Sequence, residues 1–105
     1  MDEITPQELK TRIDGNDRPV LVDVRDGWET KLCRLENALH IPMEELEFRT
    51  EELNQGDEIV VYCHHGVRSA SVADYLRRLG FSRVRNLAGG LDAWAASVDR
   101  SMRRY

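Results

Sequence analysis

Glu58-Ile59-Val60-Val61-Tyr62-Cys63-His64-His65-Gly66-Val67-Arg68-Ser69 passes from an apolar run to a polar loop to the start of a helix with no spacer. Glu58 to Tyr62 is the strongest strand of the chain, and from Ser69 the apolar positions Val72, Ala73, Leu76 and Leu79 recur at helical spacing until Gly80. A nearly continuous apolar strand followed at once by a helix is expected of a parallel sheet covered on both faces. A thiol at that turn lies under a helix N-terminus, where unpaired N–H groups and the positive end of the dipole favour an anion. Arg68 adds a permanent positive charge to the same loop. An unperturbed cysteine of pKa about 8.5 is only about 3% thiolate at pH 7, whereas helix-terminal and cation-paired thiols fall to about 3.5 to 7.5. Cys63 is therefore expected to be a nucleophile.

The loop also reads as an anion receptor. Successive backbone N–H groups curled round one point form a nest, Gly66 permits the left-handed turn this needs, and Arg68 can offer planar donors to an oxyanion. A buried, inert cysteine is the alternative for a lone thiol at a strand end. Gly66, Arg68 and the helix-opening Ser69 all in phase with Cys63 favour the reactive thiol.

Outward from this unit the pattern repeats. Thr5-Pro6-Gln7-Glu8 is a capping box with proline at the first helical position, so a helix is predicted from Pro6, burying Leu9 and Ile13 and ending at Gly15. Pro19 to Val24 reads as a second buried strand, and Asp26-Gly27-Trp28-Glu29 opens a helix carrying Trp28 and Leu32. Ala38 to Ile41 is a short strand stopped by Pro42, and Leu46, Phe48 and Leu53 suggest a broken amphipathic helix. Val84 to Leu87 leads through Ala88-Gly89-Gly90 into a last helix with Leu91, Trp94 and Ala95. Alternating strands and helices predict an α/β parallel sheet with helices on both faces, whose ligands bind beyond the carboxyl ends of the strands.

Composition narrows the function. The chain has 105 residues, a net charge of −4 and two cysteines, room for one core and too few thiols for a disulfide scaffold. The acidic balance argues against nucleic acid as a partner. The longest apolar run, Ile59 to Cys63, is far below the roughly 20 residues of a membrane span. The acidic start Met1-Asp2-Glu3-Ile4 is unlike a signal peptide, so a cytoplasmic protein with no membrane contact is expected. The stretch 98–105, basic at Arg100, Arg103 and Arg104, is expected to be loosely packed and solvated.

These residues carry a family resemblance. Tyr62 to Ala70 resembles the active-site loop of the single-domain rhodaneses, the thiosulfate sulfurtransferases. Leu21-Val22-Asp23-Val24-Arg25 resembles their early strand, His40-Ile41-Pro42 their short third strand, and Leu87-Ala88-Gly89-Gly90-Leu91-Asp92-Ala93-Trp94 their C-terminal signature. The resemblance runs in order from Ile4 to Trp94. It implies a rhodanese-like sheet of about five strands in a single domain, and a sulfane sulfur carried on Cys63 as a persulfide. It implies thiosulfate or a related donor, a thiol or cyanide acceptor or a sulfur-relay protein, and no cofactor.

Residue by residue, the resemblance makes Cys63 catalytic and gives substrate binding to His64, His65, Gly66, Val67, Arg68 and Ser69. Asp23 is implied to be structural, and Arg25 is a candidate for the pocket rim. Related phosphatases and arsenate reductases place one residue more between cysteine and arginine. The four here, His64 to Val67, make a smaller ring suited to a single sulfur.

Three further expectations concern neighbouring side chains. Cys63, His64 and His65 are consecutive and cannot readily all face one ion, so no metal site is expected. Cys33 is read as packing rather than as a resolving thiol. Trp28 and Trp94 are read as core anchors.

Overall fold

The computed structural model describes residues 2–105. Five parallel strands form one sheet: β1 Glu3–Ile4, β2 Val20–Asp23, β3 Leu39–His40, β4 Ile59–Tyr62 and β5 Val84–Leu87, in the spatial order β1-β5-β4-β2-β3. Four α-helices lie in the connections, α1 Pro6–Asp14, α2 Gly27–Leu32, α3 Leu46–Arg49 and α4 Val67–Arg78, and α5 Gly90–Ser97 follows β5. Single 3-10 turns, Met43–Glu45 and Thr50–Glu52, flank α3.

The period of two along β4 sorts the core into two layers. Ile59, Val61 and Cys63 face a cluster with Val22, Ile41, Leu46, Val72, Ala73, Leu76 and Phe81, built by α3 and α4. Val60 and Tyr62 face Ile4, Leu9, Leu21, Leu87, Leu91 and Trp94, under α1 and α5. Both faces of the sheet are therefore covered, which is why β2 and β4 are near-continuous apolar runs rather than alternating ones.

The capping box of α1 forms as its spacing predicts: Glu8 N–H donates to Thr5 Oγ1 at 3.1 Å and Thr5 N–H to Glu8 Oε1 at 2.9 Å. β1 is a strand that the sequence pattern did not mark. Two residues are too short to show a period, and parallel pairing with β5 at the sheet edge fixes them instead. α4 starts two residues before Ser69, at Val67, because Gly66 in the left-handed region (φ 96°) already caps it.

Two other expectations are corrected. Trp28 is 60% exposed, since α2 lies at the carboxyl edge of the sheet and turns Glu29 inward instead. Residues 98–105 are not a loose tail: Val98 and Met102 pack against the second cluster, and Tyr105 reaches the loop after β4. Trp94 is buried. Among the described residues no helix is long and apolar enough to cross a membrane.

Candidate active site

Cys63 follows the central strand β4 at the carboxyl edge of the sheet, and its side chain is buried. Its Sγ accepts the Gly66 N–H at 3.1 Å and the Ser69 N–H at 3.4 Å, and lies 3.3 Å from the Ser69 hydroxyl. Burial alone would push this thiol up. The Ser69 hydroxyl and the backbone N–H groups of Ser69, Gly66 and His65 outweigh it and hold the pKa below the ordinary value.

Ser69 is fully buried and its hydroxyl also faces Asn86 Oδ1. One hydroxyl proton serves one acceptor at a time. With the thiol protonated, Ser69 can donate to Asn86 and accept from sulfur; on ionisation the hydroxyl can turn its proton to the thiolate. Asn86 Nδ2 donates to Gly66 O at 3.1 Å, fixing the turn.

The far side of the loop is held by α5. Leu91 N–H donates to Cys63 O at 2.8 Å and Asp92 N–H to His64 O at 2.9 Å, so helix-terminal donors that would otherwise lack partners grip the loop backbone. Gly90 makes the approach possible: at φ 65°, a Cβ there would lie 2.5 Å from His64 O and 2.7 Å from Cys63 O.

A wall of charged side chains closes the site. Arg68 donates to both oxygens of Glu29, at 2.7 and 2.8 Å. Glu29 is 3% exposed and its carboxyl is held down at about 2, first by Arg68 and then, against burial, by Tyr105 and the Asp26 N–H. Tyr105 Oη donates to Glu29 Oε1 at 2.7 Å and accepts from Arg25 Nη1 at 3.0 Å. Burial and Glu29 push the Tyr105 phenol up to about 12, with Arg25 opposing them.

Arg25 corrects its assignment to a rim. It is fully buried, its Nε and Nη2 held by Asp23 at 2.9 and 2.7 Å and Nη2 also by Cys33 O at 2.7 Å. Burial opposes its charge, but Asp23 and Tyr105 keep it firmly protonated. Arg25 supports the wall from behind and is covered by Tyr105.

The remaining loop residues lie at the mouth. His64 stacks between His65 (centroids 3.9 Å) and Tyr105 (3.8 Å, 9° between planes), and burial and His65 lower its pKa. Its Nε2 is buried without a hydrogen-bond partner among the described residues. Val67 is 76% exposed. His64, His65 and Asp92 have potential ligand atoms within 4.8 Å of one another, with α5 supplying the third rather than Cys63. Asp92 is, however, engaged by Arg104 at 3.0 and 3.1 Å. Cys33 is half-buried against the second cluster.

Sequence reasoning missed Glu29, Asn86 and Tyr105. Glu29 was hidden as a capping-box residue, a role it also fills through the Asp26 N–H. Asn86 did carry a signal: two residues on from Val84, it puts a polar side chain on the strand face that Val84 makes apolar. Tyr105 carried none.

Comparison with known proteins agrees with this architecture. The family model for the Rhodanese-like domain matches residues 5–97. The chain is 33% identical over 97 residues to "Putative sulfur carrier protein YrkF" of Bacillus subtilis, covering 92% of this chain but only about half, 52%, of that protein. It is 39% identical over 77 residues to "Thiosulfate sulfurtransferase GlpE" of Coxiella burnetii, covering 73% of this chain and 72% of the other. The crystal structure of a rhodanese-like domain protein from Staphylococcus aureus superposes with a TM-score of 0.86 at 32% identity, covering 100% of this chain and 99% of that one. The chain belongs to the Rhodanese-like domain family, a family of sulfurtransferases and sulfur carriers.

Proposed function

We propose that this chain transfers a sulfane sulfur from thiosulfate, or a donor like it, to a thiol or cyanide by way of a Cys63 persulfide. The observation that carries the reading is the cluster of donors on Cys63 Sγ from Gly66 and Ser69, which lowers the thiol pKa and can stabilise a negative sulfur. The Cys63 thiolate attacks the outer sulfur of the donor. The sulfur–sulfur bond breaks, and sulfite leaves with the electron pair. An acceptor nucleophile then attacks the terminal sulfur of the persulfide and Cys63 departs as thiolate, giving thiocyanate or a new persulfide in a ping-pong sequence.

The residues that resemblance assigns to substrate binding divide the work. Gly66 and Ser69 hold sulfur, Arg68 orients the sulfonate with the N–H groups Glu29 leaves free, and His64, His65 and Val67 line the mouth. An exposed Val67 and Trp28 at the same sheet edge also favour a sulfur-relay protein as acceptor. The setting proposed is the cytoplasm.

Mass spectrometry after thiosulfate treatment tests the reading directly. Wild type is expected to gain one sulfur, about 32 Da, removed again by cyanide, whereas Cys63→Ser is expected to gain none and to lose thiocyanate production. Turnover by the serine variant at the wild-type rate sinks the mechanism.

A further inference from the structure

We propose that Tyr105 is a positioning residue for sulfur transfer, holding Arg68 through Glu29 and His64 through ring stacking, so that the mouth of the loop favours small anionic donors. The inference rests on the sulfur-transfer reading above, and it assigns a role to a residue outside the loop and outside residues 5–97 of the family match.

Three separate contacts point the same way. The hydroxyl of Tyr105 sits between Arg25 and Glu29, at 3.0 and 2.7 Å, and bridges the side chains of the two ion pairs Asp23–Arg25 and Glu29–Arg68, which otherwise meet through Arg25 Nη1 donating to the Glu29 backbone carbonyl at 3.4 Å. With Arg68 and the Asp26 N–H it completes four hydrogen bonds on the Glu29 carboxylate. That is as many as the two oxygens accept. A carboxylate so saturated has one orientation, and the guanidinium paired with it inherits that orientation.

The ring does a second job. It lies flat on His64, the residue after the nucleophile, with its other neighbour the edge of Trp28 at 5.8 Å. The gap beneath it, lined by Cys33, His64, Leu91 and Ala95, leaves no room for a water molecule. Arg104, one residue earlier, is anchored on Asp92 of α5, so the ring is delivered to His64 by a strap fixed on the helix that grips the loop. A purely structural strap needs no hydroxyl pointed at the Arg68 partner. This one spends its only proton on it.

The test compares wild type, Tyr105→Phe and Tyr105→Ala in the full chain, with thiosulfate and the bulkier glutathione persulfide as donors and with folding verified by circular dichroism. Tyr105→Phe keeps the stacking and loses the hydroxyl. It is expected to raise the KM for thiosulfate about tenfold, the effect of one hydrogen bond to a charged group, while kcat stays within about twofold. Tyr105→Ala also removes the ring and is expected to shift the kcat/KM ratio a further several-fold toward glutathione persulfide. A folded Tyr105→Phe with wild-type KM and kcat for thiosulfate overturns the proposal, as does a uniform fall in kcat with both donors. Since Tyr105→Phe is the milder change, it decides the matter if Tyr105→Ala does not fold. A wild type that forms no persulfide overturns the sulfur-transfer reading and this inference with it. Persulfide in all three proteins at equal KM overturns the role of Tyr105 alone.

Discussion

Glu29 and Glu58 are carboxylates in the same electrostatic state at opposite ends of the sheet. Each is held down at about 2 chiefly by an arginine: Glu29 by Arg68 in front of Cys63, Glu58 by Arg12 with Arg85 beside it. Glu58 immediately precedes β4 and Cys63 immediately follows it, so the length of one strand separates a clamp from a site. A displaced pKa thus marks a tightly held charge, and what surrounds the pair decides whether the charge serves chemistry. Around Glu58 are the starts of β4 and β5 and helix α1. Around Glu29 are the arginine of the Cys63 loop, a phenol and a stacked imidazole.

Acid should strip both ends at once. A carboxyl whose pKa is lower in the folded than in the unfolded state adds stability that is fully present above its unfolded pKa of about 4.5. That stability is lost as pH falls toward the folded value of about 2. Each site is worth roughly 3 kcal/mol at most by linkage. Urea midpoints should be flat from pH 7 to about 5.5 and then fall steeply to pH 2, and the double variant Glu29→Gln with Glu58→Gln should flatten that slope. A slope unchanged in the double variant would break the comparison.

The single variants then separate the two ends. Glu29→Gln should raise the KM for thiosulfate by about tenfold or more by freeing Arg68, and should cost about 1–3 kcal/mol of stability. Glu58→Gln should cost about 1–2 kcal/mol and leave kcat/KM within about twofold. Steady-state kinetics beside chemical denaturation read both quantities, and a kinetic defect in Glu58→Gln would erase the distinction drawn here.

The two halves of the site were unequally legible for a related reason. The cradle around Sγ is made by backbone N–H groups only three and six residues from Cys63, so Gly66, Ser69 and the strand-to-helix switch announce it in one short stretch. The wall is made by side chains 39 and 76 positions apart, Arg68 and Tyr105 on Glu29, and no local pattern encodes such pairings. The same division runs through the fold. β2 and β4 are visible as apolar runs and α1 as a capping box, because those signals are internal to each element. β1 exists only through its pairing with β5. Trp28 was misplaced because size suggested a core position while the geometry of α2 spends its buried place on Glu29.

The grip of α5 on the loop has a consequence in time. The carbonyls of Cys63 and His64 are held by Leu91 and Asp92, which lie in the last fifth of the chain, and the turn at Gly66 is held by Asn86 of β5. Until those segments arrive, Cys63 has the strand before it and the helix after it but not the bonds that fix the loop between them. A nascent or half-assembled chain therefore holds Cys63 in a loop whose geometry is not yet fixed. The donors around Cys63 Sγ are fixed in place only on completion of the fold, so segments far along the chain set the geometry of a loop that precedes them.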